Sequence, residues 1–261
     1  MVDSCLVRVT AFTHQGRVRE SNEDTIVVSD WVRNAPMAAP EQWNYRPDSP
    51  LLCAVADGMG GHAAGEIASR RVAERLLEMA AAIADTDAAR KALQSVNSEV
   101  YEMMAADPAQ IGMGATVVGL IVVDQRLIWF NVGDSRLYRY RNGFLRQISI
   151  DDVPNVASTL NPDGPRQSHA ITQALGGSSK FLPVAPHVGS FDLPIPSRWL
   201  MCSDGVTDMV AVDAIEASMA RPDEEAVRTL FDQAMLAGGE DNISIVAISV
   251  SSQDVEATAV R

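Results

Sequence analysis

Five times along this chain an apolar run meets an acid at its end. Glu23-Asp24 precede the run at 25–29, Asp57 follows the run at 51–56, Asp134 closes LIWFNVGD, Asp204 closes WLMCSD, and Asp241-Asn242 open ISIVAISV. A single strand-end aspartate reads as a turn former. Five that converge are a different matter, because like charges about 4 Å apart repel by roughly 4 kcal/mol per pair at an effective dielectric near 20. Such a cluster persists only with cations to neutralise it. Oxygen donors without histidine or cysteine select hard ions, Mg²⁺ or Mn²⁺ rather than Zn²⁺. The glycine after Asp57 lets the backbone approach closely, so the Gly58 carbonyl can join the donor set.

The same stretch offers a rival chemistry. Gly58-Met59-Gly60-Gly61-His62-Ala63 matches the dinucleotide pattern G-x-G-x-x-A. That pattern needs a second strand ending in an acid about 20 residues on. Glu78 lies at that distance but inside a helical run, and Asp57 would aim a negative charge at the pyrophosphate. Nucleotide binding is disfavoured on both counts.

The elements that must carry these acids are legible from periodicity. Residues 7–12, 25–29 and 51–56 read as strands from their β-branched and apolar content. From 67 to 83, Ala68, Val72, Leu76, Met79 and Ile83 share a helical face. A second helix carries Leu93, Val96, Val100 and Met103, capped by Asp85 or Asp87. TVVGLIVV and LIWFNV flank an Asp124-Gln125 turn, and LYRY and FLRQI flank Asn142-Gly143, a strong hairpin signal. Strands at 199–202 and 243–250 bracket a helix opened by Pro222 and ended by Gly238-Gly239. Hairpins with helices grouped apart give an α+β layered domain. Two stretches read as irregular, 30–50 with four prolines and 151–186 rich in Pro, Gly and Ser. Each is too long for an ordinary connection.

With 261 residues, 47% of them hydrophobic and 21% charged, the chain reads as a soluble globular protein. A net charge of -13 argues against a nucleic-acid partner, which needs a basic face. Cys5, Cys53 and Cys202 lie in apolar stretches, as reduced thiols do in a cytoplasmic protein. The N-terminal residues lack the basic-then-apolar pattern of a signal peptide, and the longest apolar run, 115–123, is far short of a membrane span.

Five segments together resemble the motifs of the bacterial metal-dependent protein phosphatases, the PPM or type 2C serine/threonine phosphatases. They are GRVRESNED at 16–24, VADGMGGHAAGEIAS at 55–69, GMGATVVG at 112–119, VGDSRLYR at 132–139 with LMCSDGVTD at 200–208, and GGEDNISIV at 238–246. They occur in family order and span nearly the whole chain. The resemblance implies one phosphatase domain over 1–261, a four-layer α-β-β-α sandwich of two antiparallel sheets flanked by helices, with a flap segment near the cleft. It also implies two Mn²⁺ or Mg²⁺ ions, with a third in prospect, which activate a hydroxide to hydrolyse phosphoserine and phosphothreonine esters. The partners it implies are phosphorylated proteins, opposite a bacterial Ser/Thr kinase in the cytoplasm.

By the family pattern Asp57 bridges both metals. Asp204 and Asp241 complete the protein ligands of one, while Glu23 and the Gly58 carbonyl serve the other. Asp24 lies behind them, fixing ligands or waters, with an ordinary turn residue as the plainer alternative. Arg19 matches the position that grips the substrate phosphate, where a guanidinium fork suits two oxygens; the plainer alternative is a surface arginine. Asp134 is a lesser candidate for a third metal, and so is Asp124, whose plainer reading is a hairpin turn. Thr116 and Gly114 support the cleft wall, and Asn242 stands beside Asp241. Cys202 has no basic neighbour and reads as structural. His62 stands three places beyond the position that holds histidine in animal members, so capping or packing is expected of it.

The chain departs from the pattern at RQISIDDVPNV, where Asp152-Val153-Pro154 replaces the usual Asp-His-Ser turn, so a variant flap is expected over 151–187. The insert 30–50, with Trp31, Trp43 and Tyr45, either clasps the sandwich or presents aromatics to a partner. Two rival functions stay open: a catalytically weak phosphoprotein-binding module, and a two-metal phosphoesterase acting on small phosphates.

Overall fold

The computed structural model describes residues 5–60, 64–154 and 170–252. Two antiparallel sheets pack face to face. One contains β1 (Cys5–His14), β4 (Glu41–Tyr45), β8 (Arg136–Arg141), β9 (Phe144–Gln147), β12 (Ser197–Cys202) and β13 (Ile243–Ser252), in the order β4-β1-β13-β12-β8-β9. The other contains β2 (Asp24–Val28), β3 (Trp31–Arg33), β5 (Leu51–Met59), β6 (Gly114–Val123), β7 (Arg126–Val132) and β11 (His187–Asp192), in the order β11-β7-β6-β5-β2-β3. The short β10 (Leu175–Gly176) adds to β6.

The period-two alternation of each strand divides its side chains between two cores. Val7, Val9 and Ala11 of β1 meet Ile26, Val118, Leu120 and Ile248 between the sheets. Phe12, Ile245 and Ala247 face outward, under α4 (Val212–Met219) and α5 (Asp223–Leu236). On the other side α1 (Ala64–Met79) and α2 (Thr86–Ala106) cover Ala54, Val117, Ile121 and Phe130. All ten residues of β6 are buried, which is why that strand reads as an unbroken apolar run. This is the expected four-layer α-β-β-α sandwich. Asp85 is the cap of α2, accepting a 2.8 Å bond from the Ala88 amide. Asp124, Gln125 and Asn142 take positive φ in the two hairpin turns.

Four elements escape the periodicity reading. The insert 30–50 is not irregular throughout: β3 pairs with β2 at the edge of one sheet and β4 pairs with β1 at the edge of the other. Trp31 and Trp43 meet across the gap at 4.8 Å between ring centroids, so the insert closes the open side of the sandwich. The helix α4 has only three buried residues, too few to show a face. Strand β11 is half-buried throughout its first five residues and begins at the last residue of the stretch read as flap. The remainder of that flap, 155–169, lies outside the described residues.

Candidate metal centre

Strand pairing brings the acids together. Asp24 at the start of β2 stands opposite Asp57 on β5, and Asp57 in turn stands opposite Thr116 on β6. In the facing sheet, β12 ends at Cys202 beside the start of β13, which places Asp204 next to Asp241-Asn242. A short α3 (Asp204–Thr207) begins on Asp204, and Asp208 donates its amide to the Asp204 carbonyl at 2.8 Å.

Hydrogen bonds stitch the two sheets at this end. The Ser203 hydroxyl donates to Asp24 Oδ2 at 2.8 Å and accepts from the Ser244 amide at 3.1 Å. Asn242 holds the loop that carries Arg19 and Glu23. Its Nδ2 donates to the carbonyls of Gln15 and Ser21, at 3.0 and 2.9 Å, and its Oδ1 accepts from the Glu23 amide at 2.8 Å. Both Asp-Gly pairs need their glycine for one reason: a Cβ at Gly58 would overlap the Gly65 carbonyl, and a Cβ at Gly205 would overlap that of Asn242.

The resulting cleft has a volume of about 560 Å³ and, among the described residues, is lined by seven carboxylates, Glu23, Asp57, Asp134, Asp204, Asp208, Glu240 and Asp241, against one guanidinium, Arg19. Asp57 and Asp204 keep some surface open to the cleft while their carboxyls lie deep. Burial pushes both well above the ordinary carboxylate range. Asp24, Asp204, Asp241 and Asp134 repel Asp57 further, and Asp241, Asp134, Asp208 and Asp24 do the same to Asp204. Asp24, fully buried, is pushed up to about 6 by desolvation, with the Ser244 and Ser203 hydroxyls pulling the other way. Asp134 also rises to about 6, from burial and then from Asp151 and Asp208. Burial raises Glu23 as well.

Arg19 donates to Asp241 Oδ2 at 2.6 Å, with side-chain exposures of 54% and 32%. The guanidinium expected on a phosphate therefore sits against a carboxylate expected on a metal. Among the described residues no three Asp, Glu, His or Cys side chains stand in the arrangement of a closed metal cage. The donor chemistry nonetheless fits a hard cation. The described lining is oxygen-rich and free of histidine and cysteine, its carboxyls raise one another, and Asp24 keeps one oxygen, Oδ1, buried with no hydrogen-bond partner.

The other expected residues fall as follows. Gly58 and Thr116 line the cleft; Gly114 pairs with Met59 beside it. Thr116 shares a 2.8 Å bond with the Ser135 hydroxyl. Asp24 is no turn residue, since it is the first residue of β2 and wholly buried. Asp124 is a correction. It occupies the β6–β7 turn, eight residues from Thr116, so at about 3.3 Å per residue it lies some 26 Å along the strand, at the far end of the sheet. Cys202 is buried with its thiol pushed up to about 12, unsuited to attack. His62 lies outside the described residues. Sequence reasoning missed Asp208, Glu240, Met59, Met209 and Ile171, which also line the cleft. For Asp208 a signal existed, since it follows Asp204 by four residues, one helical turn.

Comparison with known proteins agrees with this geometry. A family model described as Protein phosphatase 2C matches residues 41–242. The serine/threonine protein phosphatase PstP of Mycobacterium tuberculosis is 31% identical over 95% of this chain, which spans about half, 46%, of PstP. The serine/threonine phosphatase stp of Listeria monocytogenes is 31% identical, with 90% of this chain and 93% of stp aligned. The crystal structure of the PstP catalytic domain in complex with two manganese ions aligns with a TM-score of 0.77 at 29% identity, covering 95% of this chain and 100% of that one. The family match begins after Arg19 and Glu23, which β1, β2 and Asn242 bring to the site. The chain belongs to the protein phosphatase 2C family.

Proposed function

We propose that this protein is a metal-dependent serine/threonine protein phosphatase of bacterial type, acting on phosphoserine and phosphothreonine in proteins. The observation that carries the reading is the cleft in which, among the described residues, seven carboxylates from both sheets face a single arginine. Glu23, Asp57, the Gly58 carbonyl, Asp204 and Asp241 would hold two Mn²⁺ or Mg²⁺ ions; the PstP catalytic domain is in complex with two manganese ions. Such ions supply charge that offsets the carboxylates, stabilises the phosphoryl oxygens and makes water a better nucleophile at neutral pH.

The chain's own residues do the rest. Arg19 is half-exposed on a loop pinned by Asn242, so its guanidinium can exchange the Asp241 carboxylate for two phosphate oxygens without moving the backbone. Asp24, bonded to Ser203 and opposite Asp57 across the β2–β5 pair, backs Asp57 from behind. The described lining offers no thiol or imidazole, and the Thr116 hydroxyl is engaged with Ser135, so water is the nucleophile. Its oxygen bonds to phosphorus as the serine or threonine C–O–P bond breaks on the phosphorus side, and the displaced alkoxide takes up the proton that water loses.

We further read 1–261 as one phosphatase domain, supported by the pairing of β1 with β13, the first and last described strands. A kinase must supply the substrate, and we place both in the cytoplasm, where three free cysteines are at home. Among the described residues no helix is long and apolar enough to cross a membrane.

The test is Mn²⁺-dependent hydrolysis of an aryl phosphate and of a phosphothreonine peptide. Activity on both, abolished by chelator and by Asp204→Asn, is expected. Turnover that survives chelation, or wild-type rates in Asp204→Asn, overturns the reading. Activity on the aryl phosphate alone favours a phosphoesterase of small molecules.

A further inference from the structure

One buried carboxylate near the cleft has no part in the chemistry above. Asp152 is 7% exposed and gathers three separate pieces of chain. Its Oδ2 accepts from the Gly133 amide at 2.9 Å. Its Oδ1 accepts from Gln173 Nε2 at 2.7 Å and lies 2.9 Å from His187 Nε2. Its backbone repeats the ties, donating to the Gly133 carbonyl at 2.9 Å and accepting from the Thr172 amide at 2.7 Å. Gln173 then accepts from the Ala185 amide at 2.8 Å.

The ties to Gly133, Thr172 and Gln173 land beside residues of the cleft wall. Gly133 precedes Asp134 and packs so tightly on Thr116 that a Cβ would overlap that side chain. Thr172 and Gln173 follow Ile171. Thr116, Asp134 and Ile171 all line the cleft. Ile171 gives this wall an apolar side chain among the acids of the cleft. A cleft of about 560 Å³ is in the range that holds a drug-sized ligand, so it accommodates more than a phosphate.

We infer that Asp152 is a positioning residue for substrate selection, holding the Thr116–Asp134–Ile171 wall against which the protein part of a phosphoprotein substrate rests. The inference rests on the phosphatase reading and adds the division of labour within the cleft. Three donors converge on two carboxylate oxygens, and an amide offers only one acceptor, so Asp152→Asn leaves at least one tie unmade.

The test compares Asp152→Asn with the wild type on a phosphothreonine peptide and on p-nitrophenyl phosphate, both with Mn²⁺. The peptide KM is expected to rise about tenfold, with its kcat and the aryl phosphate kcat/KM held within about threefold. Equal losses on both substrates, or no change on either, overturn the inference while leaving the phosphatase reading intact. A wild type inactive on both sinks that reading instead, and this inference with it. If Asp152→Asn does not fold, His187→Leu and Gln173→Leu each remove one donor. Each is expected to raise the peptide KM about threefold with the aryl phosphate unaffected, and an unchanged peptide KM in both overturns the inference.

Discussion

Replacing Asp24 by asparagine should stabilise the protein at pH 8 in chelator and change its stability by well under about 1 kcal/mol at pH 4. The carboxyl is wholly buried at the junction of the two sheets, with one oxygen on Ser203 and the other without a partner. Its pKa rises from 3.8 to about 6, desolvation being the main cause. At 1.36 kcal/mol per pH unit, that rise corresponds to about 3 kcal/mol. The sign follows from proton linkage. Below the unfolded value near 3.8 the group is protonated in both states and costs nothing. Between 3.8 and 6 the folded state holds the proton more tightly, so stability falls as pH rises, and above 6 the full cost is present. Asparagine removes the ionisation, keeps an oxygen for Ser203 and offers an N–H to Asp57. For a chain of this size about 3 kcal/mol corresponds to a melting-point gain of roughly 6–12 °C at pH 8. Calorimetry of both proteins in chelator at pH 4 and pH 8 measures it. A variant less stable than wild type at pH 8, or a gain of equal size at pH 4, would refute the reasoning that desolvated charge dominates at this residue.

Three further outcomes are expected. Millimolar Mn²⁺ should raise the wild-type melting temperature, by an amount equivalent to about 2.7 kcal/mol at a hundredfold excess over Kd, and identical melting curves would count against a shared cation site. Gly205→Ala should cost about 1–3 kcal/mol in urea unfolding, because the new Cβ displaces the Asn242 carbonyl and with it the Glu23 loop; an unchanged midpoint would show that the close approach is relaxed. Trp43→Ala should lower stability by about 2 kcal/mol and loosen the 30–50 insert, seen as faster amide exchange in β3 and β4, since Trp43 packs at a tilt against Trp31 across the sandwich edge. Exchange confined to β4 would mean that the two edges are not coupled through the ring pair.

The insert shows where local reading ran out. Its prolines and scattered aromatics carry no period, because β3 has three residues and β4 five, and each gains its identity only by pairing with a neighbour distant in sequence. Asp124 shows the opposite limit. Its type and its position beside a strand matched the acids of the site, but a strand has two ends, and only the register of β6 decides which one faces the cleft.

Composition and order along the chain determined an α+β layered domain, because burial on one or both faces writes its own period into a strand or helix; the four-layer arrangement followed from the motif resemblance. They also determined the donor chemistry, because acids at strand ends are unmistakable whatever their partners. Tertiary structure alone decided which carboxylates meet, that Arg19 lies against Asp241, that Asp24 is buried rather than in a turn, and that Asp152 ties the cleft wall together. Contacts such as these join residues up to 222 positions apart. Nothing local constrains such a pair: its distance is set by sheet register and layer packing, which the chain acquires only on folding.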